Sequence, residues 1–218
     1  MKVVKLALLG FAAATFAVPT LAQEYMFTYS KLFSQMKNNA KEGHEDVKVA
    51  FFFVDADSKT LCPIEKAWME KEEHYEELPA SPINELVVPL DNNLKSANPL
   101  VFVHTPQDQR CDFSMVVMTT EPMSGKVPYA EVEKLLPQMQ VMLEDLGGMF
   151  ASWFTPDVEG ITLEFAPDLE GVISFSDGTS VALENGKAQV RLSDIGEGGY
   201  MTLPGETVRI LPYLPGAK

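Results

Sequence analysis

Positive charge is scarce in this sequence, and the shortage excludes several kinds of partner. Lysine and arginine total 17 against 31 aspartate and glutamate residues, which gives a formal net charge of −14 over 218 residues. Nucleic-acid binders gain most of their affinity from Lys and Arg contacts to phosphates, so we expect no nucleic-acid partner. The same charge opposes adsorption to anionic lipid. The 15 prolines and 14 glycines follow no Gly-X-Y period, which excludes a collagen-like chain.

Long apolar runs are also missing, except for one at the N-terminus. Lys2 and Lys5 precede an apolar stretch over residues 6–18, and the small residue Ala22 follows shortly after. The stretch is too short for a membrane-spanning helix but suits a secretory signal peptide cleaved after Ala22. An uncleaved anchor or a buried helix is the alternative. Gln23 rather than Cys comes next, so we expect no lipid anchor. The signal peptide predicts a periplasmic or secreted protein, and the lack of other long apolar runs predicts that it does not span a membrane.

Cysteine is limited to Cys62 and Cys111, and both follow the predicted signal peptide. An oxidising compartment favours a disulfide between them, which would close a loop of about 50 residues and contribute about 4 kcal/mol. Two free buried thiols or a redox site are the alternatives. A redox site usually contains C-x-x-C, which is absent here.

Signatures of catalysis are missing as well. The chain has no G-x-S-x-G nucleophile motif and no glycine-rich phosphate loop. With 31 acidic residues, no single carboxylate pair stands out for glycoside hydrolysis. We therefore name no catalytic residue and no cofactor, and we interpret the protein as a non-catalytic module that binds an envelope protein or ligand. The alternative is a hydrolase of an envelope polymer. Convergent carboxylates in a pocket would favour the enzyme, and a flat apolar patch would favour the binding module.

Histidine occurs three times, and one histidine lies in the densest acidic segment, residues 70–77. On a helix, four side chains of this segment would share a face and could hold a divalent cation: Glu70, Glu73, His74 and Glu77. On a strand, a different set would align: Glu70, Glu72, His74 and Glu76. We favour a solvated charged surface over a metal site, because charge runs are usually exposed. His44-Glu45-Asp46 follows the first predicted helix, and because nothing in the sequence fixes a partner for His44, we interpret it as part of a polar loop rather than a functional site.

An aromatic cluster follows the glycine pair 147–148. Its members are Phe150, Trp153 and Phe154. Exposed aromatic rings supply large contact areas in binding sites, so these residues are candidates for binding a sugar or a partner protein. The alternative is that they cover the core between a helix and a sheet.

Hydrophobic periodicity predicts an α+β, β-rich fold with antiparallel sheets in a sandwich-like arrangement. A short helix is predicted over residues 30–40, with Ser30 as a candidate N-cap. A longer helix carries an apolar stripe over residues 132–146, and Pro137 predicts a kink or two abutting helices. We expect one subdomain over residues 23–122 and a second over residues 123–218.

Shorter apolar runs bounded by Pro, Asn or Asp predict the strands. These runs cover residues 47–54, 86–90, 100–103, 113–118, 161–165, 200–203 and 208–211. Asp177-Gly178 and Asn185-Gly186 are two-residue turn sequences typical of β-hairpins. They predict a three-stranded meander made of residues 172–176, 179–183 and 188–192.

Four segments resemble a known protein family. They read EYMFTYSKL at 24–32, CPIEKAW at 62–68, LDNNL at 90–94 and SWFTPD at 152–157. The chain is similar in these segments to the gammaproteobacterial family known as domain of unknown function 2987. The resemblance covers nearly all of the chain after residue 22. It implies an exported protein of a Gram-negative bacterium, and it carries no activity, cofactor or catalytic residue to this sequence.

Overall fold

The computed structural model describes residues 23–79, 81–148 and 155–215. Thirteen strands, four α-helices and one 3-10 turn are formed within them. In chain order they are β1 Gln23–Thr28, α1 Tyr29–Met36, the 3-10 turn Lys37–Ala40, β2 Val47–Asp55, β3 Lys66–Lys71, β4 His74–Glu77, α2 Asn92–Ala97, β5 Leu100–Thr105, β6 Cys111–Thr119, β7 Lys126–Pro128, α3 Tyr129–Gly147, β8 Gly160–Glu164, β9 Val172–Phe175, β10 Ser180–Ala182, β11 Lys187–Arg191, α4 Leu192–Ile195, β12 Tyr200–Thr202 and β13 Arg209–Tyr213.

The strands form four antiparallel sheets. Their strand orders are β1-β5-β3-β4, β10-β9-β12-β7, β11-β8-β13 and β2-β6. Tyr25 and Phe27 of β1 bring their rings against Phe53 of β2, with centroids 4.6 and 6.3 Å apart, so the first sheet packs on the β2-β6 pair. The predicted α+β, β-rich class is confirmed.

Both predicted helices are present. In α1 the apolar side chains Leu32, Phe33 and Met36 are buried on one face. The prediction that Ser30 caps this helix is wrong, because the helix begins one residue earlier and Thr28 is the N-cap. Ser30 lies in the first turn instead, and its backbone N–H donates to Asn98 Oδ1 at 2.9 Å.

The long helix α3 is one element that runs through Pro137, which excludes the alternative of two abutting helices. Its apolar stripe holds both halves against the core, since four of its side chains are almost fully buried: Val132, Leu135, Met139 and Met142. That burial offsets the hydrogen bond that proline removes from the helix interior. Gly148 ends the helix at φ 80°, a backbone conformation that favours glycine.

Residues 86–90 do not form the predicted strand. Leu86 is buried, and its N–H donates to the Phe51 carbonyl at 2.8 Å, but this contact does not extend into a ladder. Pro89 has no N–H to offer, and its carbonyl accepts from the Tyr29 hydroxyl at 2.6 Å. The other predicted strands outside the meander are present, with ends shifted by a few residues.

The predicted three-stranded meander is wrong at its third strand. β9 and β10 form the expected hairpin around Asp177-Gly178. After Asn185-Gly186, however, only the isolated bridge Glu184↔Lys187 forms, and β11 leaves to pair with β8 along its whole length. The turn sequence is local, whereas the five-residue ladder to β8 buries Ala188 and Val190 in the core, and the tertiary contact decides the pairing.

The main hydrophobic core contains residues from both predicted subdomains, among them Phe53 and Val103 from the first and Met139 and Ile161 from the second. The division after residue 122 stays a prediction. Asp46, which precedes β2, connects to α3 through two hydrogen bonds to Gln138. Its N–H donates to Gln138 Oε1 at 3.0 Å, and its carboxylate accepts from Gln138 Nε2 at 2.6 Å. Lys134 Nζ lies 2.6 Å from the same carboxylate.

The junction between Asp46 and α3 makes a pH-dependent prediction. The Gln138 amide, followed by the Lys134 ammonium, holds the pKa of Asp46 below its ordinary value. A lowered folded-state pKa stabilises the protein above the unfolded value near 4, and this contribution is lost as the pH falls through the folded-state pKa. We expect Asp46→Asn to lower the free energy of unfolding at pH 7, because it removes the charge that Gln138 and Lys134 stabilise. The loss is limited to about 1 kcal/mol, because the half-exposed ion pair is screened by solvent. At low pH we expect no difference.

Urea unfolding of the wild type and the variant at pH 7 and in the acid range checks this prediction. Asp57→Asn in the exposed turn after β2 is the matched control. A destabilisation by Asp46→Asn that is equal at both pH values would contradict the role of the carboxylate charge.

The predicted disulfide between Cys62 and Cys111 is confirmed, with Cα atoms 6.3 Å apart. Cys111 is the first residue of β6 and lies opposite Asp55. Cys62 lies in the connection after β2 rather than in a strand, and its N–H donates to the Phe53 carbonyl at 2.8 Å. Both cysteines are buried, and the bond connects the segment after β2 to the first residue of β6.

We expect the double variant Cys62→Ala/Cys111→Ala to lower the free energy of unfolding by about 2–4 kcal/mol, because the loop between the cysteines is long. Urea unfolding measures the loss, and the reduced wild type serves as the control with unchanged sequence. Alkylation of both thiols in purified native protein without reductant would show that the bond is not formed.

Candidate functional site

Two of the residue sets predicted from sequence fall outside the part of the chain that the structure describes. The aromatic candidates Phe150, Trp153 and Phe154 lie in the gap between residues 148 and 155, so their role stays a prediction. The predicted signal peptide, residues 1–22, also lies outside the described residues.

The acidic segment 70–77 forms a β-hairpin rather than a helix. Glu70 belongs to β3, Glu72 and Glu73 form the turn, and β4 carries His74 and Glu77. The shared helical face of the metal hypothesis is therefore not formed. Within residues 23–79, 81–148 and 155–215, no group of three or more His, Cys, Asp or Glu side chains is placed to hold a metal ion.

The outer face of the β1-β5-β3-β4 sheet carries a continuous aromatic strip. Alternation along β5 buries Val101 and Val103 on the inner face and turns Phe102 outward. The register places Phe102 beside Met26 of β1 and beside Trp68 of β3. Tyr75 of β4 extends the strip on the next strand. We call Phe102, Trp68 and Tyr75 the aromatic row.

The rings of the aromatic row face one another. Phe102 and Trp68 are stacked, with centroids 5.0 Å apart and planes at 11°. Tyr75 follows at 6.3 Å from Trp68, with an interplanar angle of 30°. Much of the ring faces therefore lies against the neighbouring rings of the row. Tyr75 remains 52% exposed, and the neighbouring Met26 is 61% exposed.

Polar groups border the aromatic row on both sides. His104 meets the Trp68 ring edge-on, with centroids 4.8 Å apart, and its Nε2 lies 2.9 Å from the Glu24 carboxylate. On the other side Trp68 Nε1 donates to Glu70 Oε2 at 3.2 Å. These contacts hold the indole in one orientation, as a preformed binding surface requires.

A lysine of the same sheet already lies over the aromatic row. Lys66 Nζ is 5.2 Å from the Trp68 ring centroid and 5.5 Å from that of Tyr75, which is the geometry of a cation–π contact. The Tyr75 hydroxyl, together with the Glu77 charge, raises the pKa of Lys66 above its ordinary value. The aromatic row therefore accommodates an ammonium group at its surface.

A cavity of about 340 Å³ lies between the β3–β4 hairpin and α2. Apolar side chains make up much of its wall, namely Met69, Leu94, Ala97 and Pro99. Lys71 also lines it, and its Nζ donates to the Ala97 carbonyl at 2.6 Å. The carboxyl groups whose pKa is displaced lie elsewhere, and each is lowered: Glu45, Asp46, Asp55 and Asp177. Glu70, His74 and Glu76 also line the cavity, but the displaced carboxyl pKa values are lowered, whereas a catalytic acid needs a raised pKa.

A family model matches residues 21–165, and its description is protein of unknown function (DUF2987). The chain belongs to the DUF2987 family. In this member the matched region includes the aromatic row, the acidic hairpin and both cysteines. The strands from β9 onward lie beyond it. Searches of curated proteins and of solved structures give no match. None of the helices in the described parts of the chain has the length and apolar character needed to cross a membrane.

Sequence reasoning missed the aromatic row. Trp68 and Phe102 are separated by more than thirty residues, and only the β3–β5 register brings their rings together. Alternation in 66–70 and 100–104 was the available signal, since each segment places an aromatic between two smaller buried residues. It also missed the burial of His44, which is 1% exposed and has no hydrogen-bond partner on either ring nitrogen among the described residues.

Proposed function

We propose that this protein is an exported, non-catalytic binding module that holds a protein partner on the outer face of the β1-β5-β3-β4 sheet. The observation that carries the proposal is the aromatic row, which is fixed in place and bordered by the exposed Met26. Tyrosine and tryptophan are enriched among the residues that dominate protein interfaces.

Ring geometry favours a protein over a polysaccharide. A sugar stacks on the open face of an aromatic ring, but Phe102 and Trp68 turn their faces toward each other. Their edges and the Met26 side chain form an apolar ridge instead. Such a ridge suits the apolar side chains of a partner protein.

The charge of the chain favours a different protein over a second copy. The net charge is −14, and removal of the predicted signal peptide takes away two lysines and no acidic residue. Like charge at this level opposes self-association. Glu24, Glu70 and Glu77 border the row and add local negative charge.

Export is proposed from the N-terminal sequence. The basic residues, the apolar stretch and the small residue at Ala22 match a secretory signal. The Cys62–Cys111 disulfide supports an oxidising compartment. N-terminal sequencing of the protein from a periplasmic fraction should give Gln23 as the first residue, and intact protein with two reduced thiols in the cytosol would overturn the proposal.

The binding surface is tested by photocrosslinking and then by affinity. With benzoylphenylalanine at position 75 in cells, we expect a discrete adduct to one protein, identified by mass spectrometry. We then expect Met26→Asp to weaken binding of that purified protein at least about tenfold in calorimetry, since it places a charge on the apolar ridge.

Val172→Asp is the matched control, because Val172 is also exposed, at 48%, but belongs to the β10-β9-β12-β7 sheet. Its affinity should equal that of the wild type. Unchanged affinity in Met26→Asp would reject the outer face as the binding surface. Turnover of an envelope polymer by the wild-type protein would favour the hydrolase.

A further inference from the structure

We infer that the partner is held as an added β-strand, in which an extended, basic segment pairs with the free edge of β4. The inference rests on the proposed function and names its binding mode and the class of partner. In this mode main-chain hydrogen bonds supply affinity, and side chains on alternate positions supply specificity.

The free edge belongs to β4, which ends the order of its sheet. All four residues of the strand are exposed. The Leu78 N–H donates to the Ala67 carbonyl at 2.9 Å, which fixes the set of residues that bond toward β3. Since bonding alternates along an antiparallel strand, the main-chain groups of Tyr75 and Glu77 point away from β3. These are the groups that an added strand would meet.

The charge of the hairpin selects the occupant. Residues 70–77 contain five glutamates and one lysine. Two copies of this edge would place like charges opposite each other, which destabilises a strand pair. Lysine or arginine on an incoming strand would face the glutamates favourably. The opposite edge of the sheet, β1, carries only Glu24 as a charged side chain and offers less selection.

The aromatic row lies next to the strand that would be added. Tyr75 and Glu77 turn their side chains to the outer face, because they pair with the outward residues Glu70 and Trp68. Outward side chains of the added strand would therefore continue the aromatic row. The cation–π position over the Trp68 and Tyr75 rings is already taken by Lys66 Nζ, so basic side chains of the added strand would pair with Glu77 rather than with the rings.

Defined peptides test strand addition directly. The probe is the hexapeptide acetyl-(Lys-Val)3-amide, titrated into the full-length mature protein at low salt while amide hydrogen exchange is followed by NMR. We expect the Tyr75 and Glu77 amides to become at least about tenfold more protected. The same peptide with every backbone nitrogen methylated keeps its charge but has no N–H to donate on either edge, and it should give no protection. Acetyl-(Glu-Val)3-amide should not bind.

A pair of variants separates strand pairing from charge. Glu77→Pro removes the N–H at the free edge, where proline is tolerated, and Glu77→Gln removes only the charge. We expect Glu77→Pro to weaken peptide binding at least about tenfold and Glu77→Gln to weaken it about threefold or less. The unfolding transition of each variant checks that the sheet is intact. If Glu77→Pro does not fold, the methylated peptide remains the deciding comparison.

Equal binding of the methylated and unmethylated peptides would overturn strand addition, as would binding without protection of Tyr75 and Glu77. Failure of the proposed function is separately visible. If a partner crosslinks at position 75 and binds Glu77→Pro as tightly as the wild type, the outer face is retained as the binding surface and only strand addition is rejected. If Met26→Asp binds the partner as tightly as the wild type, the outer face itself is rejected as the binding surface.

Discussion

The register of β5 between β1 and β3 is the constraint on which the rest of the structure depends. Along this strand the inner side chains Val101 and Val103 are fully buried, and the outer Phe102 lies between Met26 and Trp68. A slip of one residue would turn the core side chains to solvent and the aromatic side chain inward. The register that buries the core side chains therefore also places the aromatic row on the outer face, where the contacts of Trp68 with His104 and Glu70 hold the indole in one orientation.

Contacts within the sheet limit the free-energy cost of exposing the apolar strip. Stacking of Phe102 on Trp68 and the contacts of the indole with His104 and Glu70 remove part of the ring surface from water within the sheet itself. What remains exposed is concentrated at Met26 and Tyr75, at the two ends of the strip. Apolar surface that is left uncovered in a fixed arrangement is typical of interaction sites.

Local signals in the sequence predicted much of the fold, and contacts distant in the chain account for what they missed. The Asp177-Gly178 turn and the apolar stripe of α3 are short-range features, and both are formed as predicted. The departure of β11 toward β8 depends on a partner more than twenty residues away, which no turn signal contains. The aromatic row is missed for the same reason, and the burial of His44 is invisible in a segment whose composition is polar.

The negative charge of the β3–β4 hairpin has two consequences: it protects an exposed strand edge, and it selects the segment that can pair with this edge. An exposed strand edge is a hazard because it pairs readily with other edges, and proteins protect such edges with charges. The glutamates repel another acidic copy of the same chain but attract a basic segment. The strand edge therefore discriminates between partners by repelling acidic strands as much as by attracting basic ones. Main-chain hydrogen bonds are indifferent to sequence, and the glutamates around Tyr75 supply the selectivity that those bonds lack. Because the charges are exposed, this selectivity weakens as salt screens them, whereas the apolar contacts at Met26 persist.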